Sequence, residues 1–505
     1  FYLVCISTIL VLIRTKCKYP DNHWGFIGYT AYLICVYMRY KYFLMLSRLN
    51  FPFQGQIMTL TLDRAYQEKL TTADQAAALV KSGDKIFLGE FTQGVEAFEA
   101  ALALRKNQLK DVILVTTTRV KPMKCVEADP QRESFIWNDW HFSGLGRKFG
   151  EKGLTSYIPL CYHQAPQNIG LYEEPDVVVI QVAPMDKNGF FNFSTSCSMT
   201  PAYCRKAKKV IVEVNVHAPK CLGGLDEAIH VSKVDYVIEG PNTPLVQLPE
   251  IPASEADHSI AKLVMSLIED GSTIQLGIGG LPNIVGSMIA NSDLKDLGVH
   301  TEMLADSYVD MYEAGRITGK NKAIDREKMV YTFALGSQKL YDFLDNNPVA
   351  SIFPVSYTND PYVIGQNPKV VAINNAIEVD LFSQVASEAS GHRQISGTGG
   401  QLDFIMGAYR SEGGKGLICI NSTYKKKDGT IGSRIVPTLS AGTIVTCPRS
   451  IVHYVVTEFG IAQLKAKSTW ERAEALINIA HPDFREQLIQ EASAMGIWRQ
   501  SNKLA

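Results

Sequence analysis

Residues 260–277 read IAKLVMSLIEDGSTIQLG, a helical stretch, a glycine turn and a β-branched run closing on glycine, and residues 73–89, ADQAAALVKSGDKIFLG, follow the same order of events. After each comes a helical stretch and then a matching segment, LKDVILVTTT at 109–118 and LKDLGVHTEM at 294–303. Two copies of one supersecondary unit, offset by about 190 residues, predict two related α/β domains packed together. The aligned segments differ at one place that matters for chemistry. Thr117 in the first copy stands where Glu302 stands in the second, so one reactive carboxylate per chain is expected.

Outward from these passages, β-branched runs such as DVVVIQVA (176–183) and KVIVEVN (209–215) alternate with Ala- and Leu-rich segments of helical period. Strands alternating with helices predict open α/β domains with mostly parallel sheets. The proline-rich LPEIPASEADH (248–258) reads as a linker into a helix, which divides the body into an N-terminal domain, 58–250, and a C-terminal domain, 251–505, carrying Glu302. Residues 1–57 stand apart. Their apolar runs FYLVCISTILVLI (1–13) and FIGYTAYLICVYM (26–38) are separated by Arg14, Lys16 and Lys18, and each falls short of the roughly 20 residues a membrane span needs. With Phe1 at the start and globular patterning from Met58, a non-native upstream segment is expected, the other reading being an anchor or targeting leader.

Fifty basic and 51 acidic residues give a net charge of -1, spread evenly, so no nucleic-acid partner is expected, nor a membrane partner for the body. The ten cysteines form no C-x-x-C pair, and Cys197 with Cys204 is too loosely spaced for zinc; free thiols in a reducing compartment and no metal site are expected. The expected location is cytoplasmic, or organellar if the leader is genuine.

Residues 273–285, TIQLGIGGLPNIV, read as a strand running into a glycine turn and then a helix with Pro282 near its first turn. Gly277, Gly279 and Gly280 free the backbone to turn sharply and aim its N–H groups at an anion at the helix start. Gly277, Gly279 and an acidic Glu302 also come close to a dinucleotide fingerprint, against which Pro282 takes the third glycine's place; structural turn glycines are the plainer alternative. Glu302, in LGVHTEMLADSYVD (297–310), falls at a strand end, near the sheet edge where α/β proteins bind ligands, although a surface or ion-paired glutamate also fits. His300 reads as a packing or supporting residue rather than a base. A third glycine cluster, ISGTGGQLDFIMGAYRSEGGKG (395–416), is either an ordinary connection or a place where Gly399 and Gly400 let a backbone amide approach a carbonyl or carboxylate.

The strings QLGIGGLPN (275–283), HTEM (300–303), GTGGQLDF (397–404), HYVVTEFGIAQLK (453–465) and ERAEALINIAHPDFREQL (471–488) closely resemble the acetyl-CoA hydrolase and 4-hydroxybutyrate CoA-transferase family. The resemblance runs from Met58 to the C-terminus. WNDWHFSGLGRKF (137–149) and QVAPMDKNGFFNFS (181–194) look most like the members that exchange CoA between butyryl-CoA and acetate. The resemblance implies a CoA-transferase fold and ping-pong exchange, with Glu302 forming a glutamyl-CoA thioester. It further implies that Gly277, Ile278, Gly279, Gly280 and Leu281 contact CoA or the oxyanion, with Gly400 doing so from the third cluster. Ile377, in INNAIEVDLF (373–382), would border the CoA channel, while Met406 departs from a basic or different apolar residue in many members. No permanently bound cofactor is implied: a CoA thioester and a short carboxylate are substrates, and similar enzymes form homo-oligomers.

Such exchange needs a desolvated carboxylate, a backbone oxyanion hole and exclusion of water. If water reaches the glutamyl-CoA carbonyl the same scaffold is a hydrolase, and 4-hydroxybutyrate transfer is the other alternative within the family. From other classes, an NAD-dependent oxidoreductase rests only on the Gly277, Gly279 and Glu302 spacing, and a non-catalytic CoA-binding module predicts no role for Glu302.

Overall fold

Runs without polar alternation become the central strands of two sheets, as expected where helices cover both faces of a parallel sheet. The computed structural model describes residues 52–249 and 252–504, with backbone alone for 52–60. The first sheet contains β1 (Lys85–Glu90), β2 (Val112–Thr117), β3 (Phe135–Asp139), β4 (Thr155–Tyr157), β5 (Val177–Val182), β6 (Lys209–Val214) and β7 (Tyr236–Glu239). Its order is β4-β3-β2-β1-β5-β6-β7, and every pairing is parallel. The second contains β8 (Thr273–Leu276), β9 (Gly298–His300), β10 (Met329–Tyr331), β11 (Ala350–Ile352), β12 (Val370–Asn375), β13 (Lys415–Cys419), β14 (Tyr454–Thr457) and β15 (Gly460–Gln463). Its order is β11-β10-β9-β8-β12-β13-β14-β15, parallel except for the closing β14–β15 hairpin.

Strand for strand, the first seven positions of the two orders are the same. The repeated passages supply the strand from which each sheet winds in both directions, β1 in one and β8 in the other. Both are entered through a capped helix. In α2 (Ala73–Ala77) the Thr72 hydroxyl and Gln75 side chain form a reciprocal capping box, and in α3 (Glu255–Met265) Ser254 and Asp257 do the same. A preceding helix, α1 (Pro52–Lys69), includes Met58. Of the segment 1–57 read as upstream sequence or leader, residues 1–51 lie outside the described residues and 52–57 fall in α1; positions 250 and 251 of the linker also lie outside the described residues. The chain divides into the compact units Phe1–Asp63 and Arg64–Ala505, and both sheets belong to the second.

Each sheet has its own core. Ile86, Leu88, Phe98, Leu114, Trp137 and Val179 pack around the first, and Ile274, Leu276, Val285, Val299, Ile373 and Leu417 around the second. Every residue of β5 is buried, and burying a Val or Ile side chain contributes roughly 1.5–3 kcal/mol. The two layers join through main chain: Cys197 N donates to Thr332 O at 3.1 Å and Ala334 N to Thr195 O at 2.7 Å. Beside this seam the Phe91 and Phe333 rings stack with centroids 3.6 Å apart. No helix among the described residues is long and apolar enough to cross a membrane.

Candidate active site

Strand β9 ends at His300, and Glu302 follows at the carboxyl edge of the second sheet, where it faces the first. Its backbone is fixed from the neighbouring strand: Thr332 N and Phe333 N donate to its carbonyl at 3.0 and 3.3 Å. Next to it, Tyr308 donates to Thr301 Oγ1 at 2.9 Å and accepts from Leu276 N at 2.7 Å, tying the β9 end to the β8 end. The stem of the glutamate is thereby held while its carboxylate projects into open space.

Two cavities meet at that carboxylate. One is a small, mainly apolar chamber walled by Phe91, Trp140, Leu160, Tyr162, Ala165 and Phe333, with Thr117, Thr118 and Ile278 completing it. No lysine or arginine lines it. The other is a cleft of about 770 Å³ that runs between Ser143, Gly144 and Arg147 of the first half and Gln275, Gly277, Asn374 and Gly400 of the second. Glu302, Thr118, His141, Ile278 and Gly399 border both.

The carboxylate is held by few partners. Asn359 Nδ2 donates to Glu302 Oε2 at 2.7 Å. Helix α5 (Gln401–Arg410) begins immediately after Gly400, and the Gly400 amide is directed at the same carboxylate, so the positive end of a helix faces it. Burial pushes the Glu302 carboxyl up to about 7; the Asn359 bond opposes this, the Asp403 charge adds to it and the Gly400 amide opposes it. Gly399 adopts φ +51°, a left-handed conformation that admits the tight turn into α5. A Cβ on Gly400 would overlap both Glu302 Oε2 and the Asn359 amide.

Of the glycine turn after β8, only Gly277 and Ile278 line the cavities; Gly279, Gly280 and Leu281 border neither. Gly277 lines the cleft, its N–H bonded to Ile373 O at 2.8 Å, and Gly279 takes φ +133°, which only glycine adopts without strain. Ile278, half exposed, stands at the junction of the two cavities. Gly280 opens helix α4 (Gly280–Ala290), and the Leu281 side chain points into the core. Ile377 lies outside the walls of both cavities: its N–H bonds Ala386 O at 2.8 Å and its carbonyl accepts from Arg434 at 2.9 Å. Met406 is on α5, partly exposed and away from the glutamate's two cavities.

His300 is fully buried, with Nε2 bonded to Thr358 O at 2.7 Å. Burial, helped by the Lys322 charge and against that bond, brings it down to about 3, so it is a neutral ring supporting the turn that carries Asn359. His141 is likewise neutral, lowered to about 4 by burial and then by the Arg147 charge, and it faces both cavities.

Several groups around the carboxylate escaped the sequence reading. Asn359 sits in YTNDP, which reads only as a turn. His141 and Trp140 lie in a quoted motif, just past the end of β3, but nothing in their spacing distinguishes a cavity wall from a core. Asp403 carried the one usable signal, an acid in the first turn of a helix that starts at a glycine pair. Among the described residues no group of three or more His, Cys, Asp or Glu could hold a metal ion.

The acetyl-CoA hydrolase/transferase N-terminal domain is matched by residues 58–249 and the C-terminal domain of the same family by residues 336–492. Butyryl-CoA:acetate CoA-transferase of Anaerostipes caccae is 49% identical over 446 residues, 88% of this chain and 100% of that protein. A probable butyrate:acetyl-CoA coenzyme A-transferase of Syntrophomonas wolfei is 49% identical over 87% of this chain and 98% of its own length. Among solved structures, RipA from Yersinia pestis superposes with a TM-score of 0.79 at 34% identity, covering 86% of this chain and 99% of its own.

Proposed function

Because this chain belongs to the acetyl-CoA hydrolase/transferase family, whose members act on CoA thioesters, we propose that it exchanges CoA between butyryl-CoA and acetate with Glu302 as covalent nucleophile. The observation that carries this reading is the position of the Glu302 carboxylate at the junction of an apolar chamber and a long cleft. The chamber suits a short aliphatic acyl chain, and the cleft suits the extended CoA arm.

In the first step a Glu302 oxygen attacks the thioester carbonyl. The C–S bond breaks, leaving a glutamyl–butyryl anhydride and CoA thiolate. The thiolate then attacks the glutamyl carbonyl, butyrate leaves as the carboxylate, and glutamyl-CoA thioester remains. Acetate reverses both steps to give acetyl-CoA. Each species is an activated acyl group of similar energy, so the cycle needs neither a nucleotide nor a bound cofactor. Gly400 would supply a backbone donor to the oxyanions, with the Ile278–Leu281 turn beside it as the further source of N–H groups, since the Gly277 N–H is already bonded to Ile373; Ile278 would pack between acyl group and CoA arm, and Ile377 would border the CoA channel only beyond the two cavities seen at Glu302. Losing one such donor typically costs about a hundredfold or more in rate.

Mass-resolved product analysis with butyryl-CoA tests the function. Acetyl-CoA and butyrate should appear together only when acetate is added. Free CoA accumulating regardless of acetate would make the protein a hydrolase instead. Glu302→Gln should abolish exchange, by at least about a thousandfold, and borohydride should trap the glutamyl thioester only in the unaltered protein. Undiminished exchange in the Gln variant would sink the nucleophile assignment.

A further inference from the structure

Behind Glu302 a second carboxylate is buried with a histidine from the other half of the molecule. Asp403, in the first turn of α5 and only 1% exposed, accepts the His163 main-chain N–H at 3.1 Å and pairs with His163 Nδ1 at 2.7 Å. The Asn359 side-chain amide also faces Asp403, whose carboxyl burial raises above its ordinary value against the His163 and Asn359 interactions. Its Nδ2 thus bonds Glu302 and faces a second carboxylate, while its Oδ1 is buried with no hydrogen-bond partner among the described residues.

An orphaned buried amide oxygen needs a reason, since nothing replaces the water it gave up on burial. Turning the amide over would bring Oδ1 against two carboxylate oxygens, which is worse while both are anionic. Asp403 therefore selects which end of Asn359 faces the nucleophile. With the donor end on Glu302 Oε2, the other oxygen, Oε1, lies on the side of Gly399 and the cavities. His163 completes the device: it immediately follows Tyr162 of the chamber wall, so the pair ties that wall to the α5 start. Burial lowers the His163 ring, but the bond and charge of Asp403 outweigh this and raise it above its ordinary value, which keeps it able to donate.

We propose that the His163–Asp403 pair is a positioning element for the reaction, holding the Asn359 amide donor-first against Glu302 so that Oε1 is the attacking oxygen. The proposal rests on Glu302 being the nucleophile. It assigns no contact with substrate to either residue of the pair.

The test is a double-mutant cycle on the purified full chain, with kcat and KM for butyryl-CoA and melting temperature read for each variant. Asp403→Asn should lower kcat by about ten- to a hundredfold with KM within about twofold, because a misplaced reacting group loses rate rather than binding. Asn359→Ala should lower kcat comparably, and the double variant should be no slower than Asn359→Ala alone. If the two losses multiply, or if Asp403→Asn raises KM and spares kcat, the positioning role is wrong. Should Asp403→Asn fail to fold, His163→Gln, at a partly exposed site, carries the same cycle with an expected loss of about three- to tenfold. Full activity in both Asp403→Asn and His163→Gln overturns the proposal while leaving the Glu302 assignment intact, whereas full activity in Glu302→Gln overturns that assignment alone.

Discussion

The two sheets wind alike, yet they treat a buried glutamate in opposite ways. In the second, Glu302 follows β9 and has one side-chain donor, Asn359, with open cavities on either side. In the first, the aligned position is Thr117 at the end of β2, and the glutamate is Glu90 at the end of β1. Glu90 is 1% exposed and surrounded by donors: Ser196 Oγ at 3.2 Å, Met199 N at 3.3 Å and Thr117 Oγ1 at 3.5 Å. Burial pushes Glu90 up to about 8 and Glu302 to about 7. A raised carboxyl is therefore not what sets the proposed nucleophile apart from Glu90. Access is: Glu302 borders two cavities, while Glu90 is sealed behind Thr117 and Phe91 and lines neither.

The comparison breaks most sharply if the open side is closed. Gly400 has φ -95° and ψ 5°, bridge-region values that an alanine can take, so Gly400→Ala should keep the fold. Its new methyl would nonetheless overlap the Glu302 carboxylate and the Asn359 amide. Exchange should fall by about a hundredfold, as expected when a reacting group is displaced by about 1 Å, with the melting temperature little changed. Activity within a few-fold of the parent would show that the carboxylate can work from a different position.

A smaller effect tests whether Glu302 must ionise. Its carboxyl lies near 7, and attack requires the anion, so kcat/KM should rise with pH through about 7 and level above it. Between pH 6 and pH 8 the gain should be about tenfold. A flat profile over that range would place the ionisation well below 7 and remove burial as the feature Glu302 shares with Glu90.

How much of this was legible beforehand follows from the kind of signal involved. The repeat of helix, glycine turn and strand revealed the central strand of each sheet because buried parallel strands read as mainly apolar runs bounded by turns, as in KIFLG and, with Gln275 as its one interruption, TIQLG. The glycine turn was visible because Gly279, at φ +133°, is a position no other residue tolerates well. The chamber was not, since Phe91, Leu160, Ala165 and Phe333 are distant in sequence and indistinguishable from core residues until the two halves come together. The same holds for His163 and Asp403, 240 positions apart and joined by one pair of hydrogen bonds. Local pattern records backbone conformation; it does not record which apolar surface is left uncovered.

The smallest expected effect is on Glu90, and its sign distinguishes a structural acid from a catalytic one. A carboxyl raised to about 8 in the folded chain, against 4.5 for an ordinary glutamate, is protonated at neutral pH when folded and ionised when unfolded. The stability it contributes is fully present below the unfolded value, declines as pH rises through the interval, and is gone above about 8. Glu90→Gln mimics the protonated form permanently and removes that decline. Melting temperatures of the two proteins should nearly coincide at pH 5, while at pH 8.5 the Gln variant should melt higher by about 3 °C. Asp139, also raised to about 8 by burial, leaves a residual slope in both. Exchange activity should stay within about threefold, because a neutral side chain of the same shape still meets Ser196 and Thr117 behind the chamber wall. A much larger loss of exchange would mean that the sealed glutamate communicates with the open one through Thr117, and the two sheets would then differ in degree rather than in kind.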